Sequence, residues 1–473
     1  MLVLLACLAA GLAWRSRGWP LIHDAPLMHY VAWRISEGAV PYRDLFDMNF
    51  PGVYLIHLTA LRLFGAGDGG WRAFDLAWLA GTSLVAAALV APWGRLAALG
   101  APLFFAVYHL AGGAGQAGQR DFFLCPLLLL AALGVSRWAE RPHDRSSLVW
   151  GGLAVGAGMT VKPHAGLFAA ALLVVVAVVA RRADRPAARS AAVFAAAIAV
   201  APAATTVWLA AKGALAAWWE ITFDYLVPLY SKLGRPDRWT FHRWQIWVPI
   251  GAGVALSAWS ALARRRITVR HAVVALGLVY GLTHFVGQGK GWEYHLYPLA
   301  AFAAVALFAE ASPRGEARSA AALPLLACVS LAGILLGLKG VESADAAWVR
   351  AKERRVSALV ADLEGKIGGR DVVQVLDTTE AGVHALLRLH AVQSTRFLYD
   401  FHFYHDIESP IVRKLRADFI AGFDAHPPRF VVLFERGWPN GGYERIERFE
   451  ELRRRLSTYR VDARRDGYVM YAR

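Results

Sequence analysis

The chain has 473 residues, of which 57% are hydrophobic and only 18% charged, and it carries a formal net charge of +15 at pH 7. So large an apolar share excludes an ordinary water-soluble enzyme and points to an integral membrane protein. The positive charge does not indicate nucleic acid, because most arginines stand in short clusters between apolar runs, where membrane topology accounts for them.

Apolar runs predict helices near 1–16, 75–92, 97–112, 122–137, 148–162, 164–180, 191–211, 245–263, 271–287, 296–310 and 320–338. The first run, "MLVLLACLAAGLAW", is short for a span and has no basic residue before it. A signal peptide is the alternative reading there, and a start site placed too far downstream would also explain the length. With a cytoplasmic N-terminus, the inner loops are those around Arg95, "RWAERPHDRSS" from Arg137, "RRADRPAARS" from Arg181, "RRRITVR" from Arg264 and "SPRGEARS" from Ser312. Short inner loops are then the arginine-rich ones, as the positive-inside rule requires.

The other connections fall outside: 17–74, 112–121, the hinge at Lys162, 212–244, 288–295 and everything after about residue 340. Residues capable of chemistry gather on that same face: Asp24, Asp44, Asp47, Arg120, Asp121, Lys162, Glu220, Asp224, Lys290, Glu293 and His295. Ionisable groups at membrane depth are costly and usually face a cavity or one another.

The transmembrane part, residues 1–340, gives way near Ala344 to soluble α/β texture, taken as an extracytoplasmic domain over 341–473. A charged helix ends in a Gly pair at "GKIGG", and "DVVQVLD" reads as a buried strand. A helix through "AGVHALLRLH", a strand at "TRFLYDF", a helix at "SPIVRKLRADFIAGFD" and a strand at "RFVVLFE" follow. The amphipathic helix "YERIERFEELRRRL" precedes a hairpin with an Asp-Gly turn, "YRVDARRDGYVMYAR".

Several constellations carry candidate chemistry, each beside a plainer reading. "GAGQAG" at 113–118 matches a dinucleotide fingerprint literally but lies between apolar helices. It reads as a flexible outer loop or one that lets backbone approach a ligand. Arg120 and Asp121 either satisfy each other at a helix end or face a site. Lys162, in "GMTVKPHAG", either snorkels to the interface or presents a compact cation to a lipid-linked phosphate. Glu220 and Asp224 share one face of "WWEITFDY", a candidate interfacial helix. "GQGKGWEYHLYP" contributes Lys290, Glu293, Tyr294 and His295 to a headgroup site or an aromatic belt. His402, His405 and Asp406 in "DFHFYHD" are a weak zinc signal, and His23 and His29 rank as interfacial residues rather than ligands. Cys7, Cys125 and Cys328 sit in apolar segments with no disulfide or zinc spacing.

In order, these features resemble the GT-C glycosyltransferases, in particular the dolichyl-phosphate-mannose:protein mannosyltransferase and aminoarabinose lipid A transferase branch. The resemblance rests on Asp24 after the first helix, Tyr30, "EGAVPYRD", "NFPGVYLIHL", "LFGAGDGGWRAFDLAWLAGTSLVAAALV" with Arg72, "GQRDFFLCPLLLLAALG" and "GMTVKPHAGLFAAALL". It is clear over about 20–180, thinner to 340 and generic beyond. Many relatives carry Asp-Glu at the first acid and Pro-Asp before the Leu-rich helix, where this chain has Asp24-Ala25 and Arg120-Asp121, so donor and acceptor classes are not carried over.

The resemblance implies a GT-C-like polytopic α-helical membrane protein of about eleven transmembrane helices with a C-terminal soluble α/β domain. It also implies an inverting glycosyltransferase that moves a sugar from a polyprenyl-phosphate donor to an extracytoplasmic glycan, lipid or protein acceptor, in a bacterial inner membrane. Asp24 is the expected base, with Asp121 in the catalytic set. Lys162 is the first candidate for the donor phosphate, ahead of Arg72, Arg120 and Lys290. Asp44, Asp47, Glu293 and His295 are support for the acceptor or for a divalent cation, whose requirement is left open. The alternatives are a transporter or flippase of lipid-linked saccharide, which would be expected to show matched halves, and a non-catalytic membrane scaffold.

Overall fold

The computed structural model of the protein describes residues 1–141, 144–309, 322–344, 346–438 and 441–473. Part of the "RWAERPHDRSS" connection and the "SPRGEARS" connection lie outside the described residues. Helix α1 (Leu2–Ser16) is followed by two helices within the first outer loop, α2 (Ala25–Ser36) and α3 (Pro51–Phe64). Each of these two has a proline in its first turn, where the missing N–H costs nothing.

The apolar series continues with α4 (Asp68–Val90), α5 (Arg95–Leu110), α6 (Arg120–Glu140), α7 (Arg145–Val161), α8 (Ala165–Arg182) and α9 (Ala187–Ala211). A short α10 (Leu215–Trp219) runs into a π-helical stretch, Glu220–Leu226. Then come α11 (Trp244–Ala263), α12 (Val269–Gln288), α13 (Tyr297–Leu307) and α14 (Ala322–Ala344). Among the described residues every apolar run expected to be helical carries a helix. Seven helical stretches among the described residues are long and apolar enough to cross a membrane, whereas α1, α5, α7 and α13 have 15, 16, 17 and 11 residues. Each of the eleven expected runs carries a helix, while length and composition together support seven spans among the described residues.

Small residues let the helices approach closely. Gly134 and Gly151 face each other between α6 and α7, and a Cβ on Gly156 would come within 2.2 Å of the Ile198 carbonyl oxygen of α9. In a membrane, where neighbouring lipid is as apolar as leucine, such contacts hold helices together.

The C-terminal part comprises α15 (Ala347–Leu363), β1 (Val372–Leu376), α16 (Gly382–Leu389), β2 (Val392–Gln393), α17 (Pro410–Ala425), β3 (Phe430–Phe434), α18 (Glu450–Leu456), β4 (Arg460–Arg465) and β5 (Tyr468–Ala472). The sheet order is β2-β1-β3-β5-β4, with β1 parallel to β2 and β3, and β5 antiparallel to β3 and β4. Two expectations need correction. The strand expected at "TRFLYDF" is not there: Arg396 gives its carbonyl to the Phe46 amide at 2.6 Å and Phe397 packs on Phe46, so the segment pairs with the first outer loop instead. The helix expected over "YERIERFEELRRRL" is split after Arg448, because Arg445 is drawn into the core to bind Asp400 and the carbonyls of Phe434 and Leu376.

This C-terminal part is docked on the 17–74 segment and on the π-helical stretch. The Tyr30 hydroxyl donates to the Ala391 carbonyl and accepts from the Gln393 amide, Arg388 pairs with Asp68 at 3.0 Å, and Lys414 pairs with Glu220 at 2.8 Å.

Candidate active site

The sharp turn before α2 brings the first acid into the site. His23 adopts a left-handed backbone (φ 64°), a conformation rare outside glycine, and Asp24 follows at the head of the helix. The Asp24 carboxylate lies 3.0 Å from Arg120 Nη2 and 3.2 Å from His23 Nδ1. Burial alone would raise its pKa. His23, Arg120 and Lys352 overcome that and hold the carboxyl below its usual range, so it is ionised.

Arg120 and Asp121 open α6, and they do not satisfy each other. Successive helix positions point about 100° apart, so the two charges reach different neighbours. Arg120 binds Asp24, donates to the Asn49 side chain and lies 3.5 Å from the Tyr294 hydroxyl. Asp121 is fully buried and receives His284 Nε2 at 2.5 Å, Gln288 Nε2 at 3.2 Å and Lys162 Nζ at 3.4 Å. Lys162, in the turn between α7 and α8, also donates to Gln288 Oε1 at 2.8 Å. Burial lowers the Lys162 ammonium to about 8 against the opposing pull of Asp121.

Two cavities meet at this cluster. The upper one, about 310 Å³, lies between the first outer loop and the soluble part and is lined by Asp24, Asp47, Arg120, Lys352 and Trp438 among others. The lower one, about 580 Å³, is lined by Lys162, Lys290, His295 and the apolar side chains of the π-helical stretch. Arg120, Asn49, Tyr230, Trp292 and Tyr294 line both. Phe223 and Val227, 44% and 55% exposed, open the lower cavity onto the apolar outer surface.

The remaining expected residues are placed as follows. Asp47 lines the upper cavity, but its carboxylate is taken by the Tyr54 hydroxyl (2.6 Å), Asn49 Nδ2 (2.8 Å) and the Met48 amide (2.9 Å). Burial raises its pKa in spite of these bonds. The Lys290 ammonium binds the Tyr230 and Leu233 carbonyls and sits 4.0 Å over the Tyr230 ring. Burial lowers it to about 8.

Four expectations are corrected. Arg72 does not reach either cavity: buried with Asp75 and Ser16 under Trp19, it anchors α4, and Asp75 also receives His109. Asp44 pairs with Arg43 and caps the Val40 amide on the loop surface. Glu293 turns away to Lys339 and His242. Asp121 lines neither of these two cavities and touches the site by its pairing with Lys162.

Nor does the "GAGQAG" loop line either cavity. Gly118 (φ 68°) packs against Trp71, where a Cβ would come within 1.8 Å, and its amide donates to Asp75. His29 pairs with His57 at 2.8 Å, while His402 meets the Tyr225 hydroxyl and His405 the Phe401 carbonyl. Among the described residues no three His, Cys, Asp or Glu side chains converge as a metal set would. His284 and Gln288, unremarked in the sequence, are polar at i and i+4 on the end of an apolar helix, a signal that could have found them. Nothing in the sequence ties Lys352 to Asp24.

Comparison with known proteins agrees with this architecture. Residues 50–209 match the family model described as dolichyl-phosphate-mannose-protein mannosyltransferase. The structure of ArnT from Cupriavidus metallidurans bound to undecaprenyl phosphate superposes with a TM-score of 0.69 at 13% identity, covering 99% of this chain and 97% of that one. The Archaeoglobus fulgidus oligosaccharyltransferase in its apo form gives 0.52 at 13% identity, over 92% of this chain and 69% of that one. No curated protein sequence matches. The chain therefore has the fold of the ArnT structure, in keeping with its sequence resemblance.

Because Asp121 and Lys162 are buried as a pair, removing either leaves a charge without its partner. Asp121→Asn and Lys162→Met should each lower stability by about 3 kcal/mol, the low end for a broken buried pair because Lys162 borders a cavity. The double variant should lose clearly less than the sum of the two, by about 1 kcal/mol or more. Unfolding of the purified protein in detergent measures all three.

Proposed function

We propose that the chain is an integral-membrane glycosyltransferase that moves a sugar from a polyprenyl-phosphate carrier to an acceptor hydroxyl on the extracytoplasmic side. The observation that carries this reading is the Asp24–Arg120 pair, set where a lipid-accessible cavity with lysines meets a polar cavity under the soluble part. The GT-C fold and the arginine-rich loops on the opposite face support it.

In this reading the carrier's isoprenoid enters past Phe223 and Val227, and its phosphate is met by Lys162, with Arg120 and Lys290 nearby. The acceptor enters from the upper cavity. Its oxygen attacks the anomeric carbon as Asp24 takes the hydroxyl proton, the bond from that carbon to the phosphate oxygen breaks, and the electron pair leaves with the polyprenyl phosphate. One displacement inverts the anomeric centre. A carboxylate held ionised is a weak base for a free alcohol, but it suits a hydroxyl that becomes acidic as its oxygen bonds to carbon. The lysines stabilise charge that grows on the departing phosphate, in surroundings drier than bulk water where such attraction is stronger.

Asp24→Asn should lower transfer of labelled sugar from polyprenyl-phosphate donors by roughly 10²–10⁴-fold while the protein stays folded. Full activity in that variant would remove Asp24 from the role of base, and movement of lipid-linked sugar between leaflets without transfer would replace the enzyme with a transporter. The lowered pKa of Lys162 fixes the sign of a second effect. Its ammonium is present below about pH 8 and is lost as pH rises through that value, so affinity for polyprenyl phosphate should fall between pH 7 and 9. Lys162→Arg, which stays charged, should flatten that dependence in equilibrium binding measured in nanodiscs.

A further inference from the structure

The walls of the upper cavity identify the acceptor more closely, on the premise of the transferase reading above. Its membrane half presents Tyr230, Trp292 and Tyr294, and its soluble half presents Tyr399, Phe401 and Trp438. These rings form one continuous group. Trp438 lies 5.2 Å from Phe401, 6.3 Å from Tyr230 and 6.4 Å from Trp292, while Trp292 and Tyr294 are nearly parallel, at 9°. Trp292, Trp438, Tyr230 and Tyr399 are each only half-buried, with ring surface left to the cavity.

Between the rings stand acceptors, Asp24 and Glu380, a donor, Lys352, and two side chains that do both, Asn49 and Thr378. These groups pair with one another and with neighbours such as Arg120 and Arg355, and an acyl chain would set this charged wall against hydrocarbon in place of water. An extended peptide would bind chiefly through main-chain pairing, and none of the residues lining the cavity belongs to a strand. A sugar ring satisfies both features, because its C–H faces lie flat on aromatic rings while its equatorial hydroxyls reach mixed donors and acceptors at the edge. The volume of about 310 Å³ accommodates one or two such rings.

We propose that the acceptor is a saccharide, seated on the aromatic platform that the soluble part completes with Trp438, and that the bond made is therefore a glycosidic bond between two sugars. The attacking group is a ring hydroxyl, its proton passes to Asp24, and the polyprenyl phosphate leaves with the electrons of the broken bond.

The test uses the full chain in nanodiscs with a panel of polyprenyl-phosphate hexoses and pentoses. Methyl hexopyranosides and pentopyranosides, a glycolipid with a pyranose headgroup and a Ser/Thr-rich peptide are offered as acceptors. Release of free sugar into water reports donor turnover independently of any acceptor. Label should pass to a pyranoside or to the glycolipid, the two arms distinguishing a free saccharide from a lipid-linked one. Trp438→Ala should raise the acceptor KM about tenfold, equivalent to roughly 1.4 kcal/mol, and shift the partition from transfer toward hydrolysis. Trp438→Phe should restore most of the affinity. Transfer to the peptide but to neither sugar acceptor, or an acceptor KM insensitive to Trp438→Ala, would overturn the proposal. Absence of both transfer and donor hydrolysis across the panel would instead refute the transferase reading on which it stands.

Discussion

The site depends on the need of two consecutive charges at the head of one apolar helix, Arg120 partly buried and Asp121 fully so, for partners of opposite sign. Arg120 and Asp121 cannot neutralise each other without leaving the helix, so each draws a different part of the chain toward the start of α6. Arg120 holds the first outer loop through Asp24 and Asn49. Asp121 holds the α7–α8 turn through Lys162 and the end of α12 through His284 and Gln288. An unpaired charge at this depth would cost several kcal/mol, which is why three separate elements meet here. The two cavities open on either side of that junction.

The soluble part belongs to the same construction. It docks through Tyr30, Phe46, Asp68 and Glu220, residues of the outer loops and of the outward end of α4, and it sends Lys352 toward Asp24 and Trp438 toward Trp292. Its strand β1 is followed directly by Asp377, whose carboxylate caps the amides of Glu380, Ala381 and Gly382 and so shapes one rim of the upper cavity. Burial raises Asp377 to about 6.

Much of this was legible in the sequence because hydrophobicity is read locally. The apolar runs became helices within a few residues of their expected ends, and the strands at Val372–Leu376 and Phe430–Phe434 follow from short β-branched stretches. The clustering of Asp24, Arg120 and Lys162 on one side followed from loop charge alone. What the sequence could not carry was direction. Arg72 and Glu293 have the right chemistry on the right side but turn toward Asp75 and Lys339, since a charge takes the nearest partner and that partner is set by helix packing. The same holds for "TRFLYDF", whose strand-like texture was used to pair with a loop some 350 residues earlier in the chain. Lys352 and Trp438 were invisible for a third reason: their role exists only once the soluble part is seated.

The central claim is that the lower cavity receives a lipid-linked phosphate at Lys162 from the side of the membrane. The most direct measurement places a photo-crosslinking residue at Phe223 and irradiates the protein in nanodiscs containing radiolabelled polyprenyl phosphate. The account predicts a crosslink that unlabelled polyprenyl phosphate competes away, that the unphosphorylated alcohol competes poorly, and that Lys162→Met greatly weakens. A crosslink that the alcohol displaces equally well and that ignores Lys162→Met would contradict it.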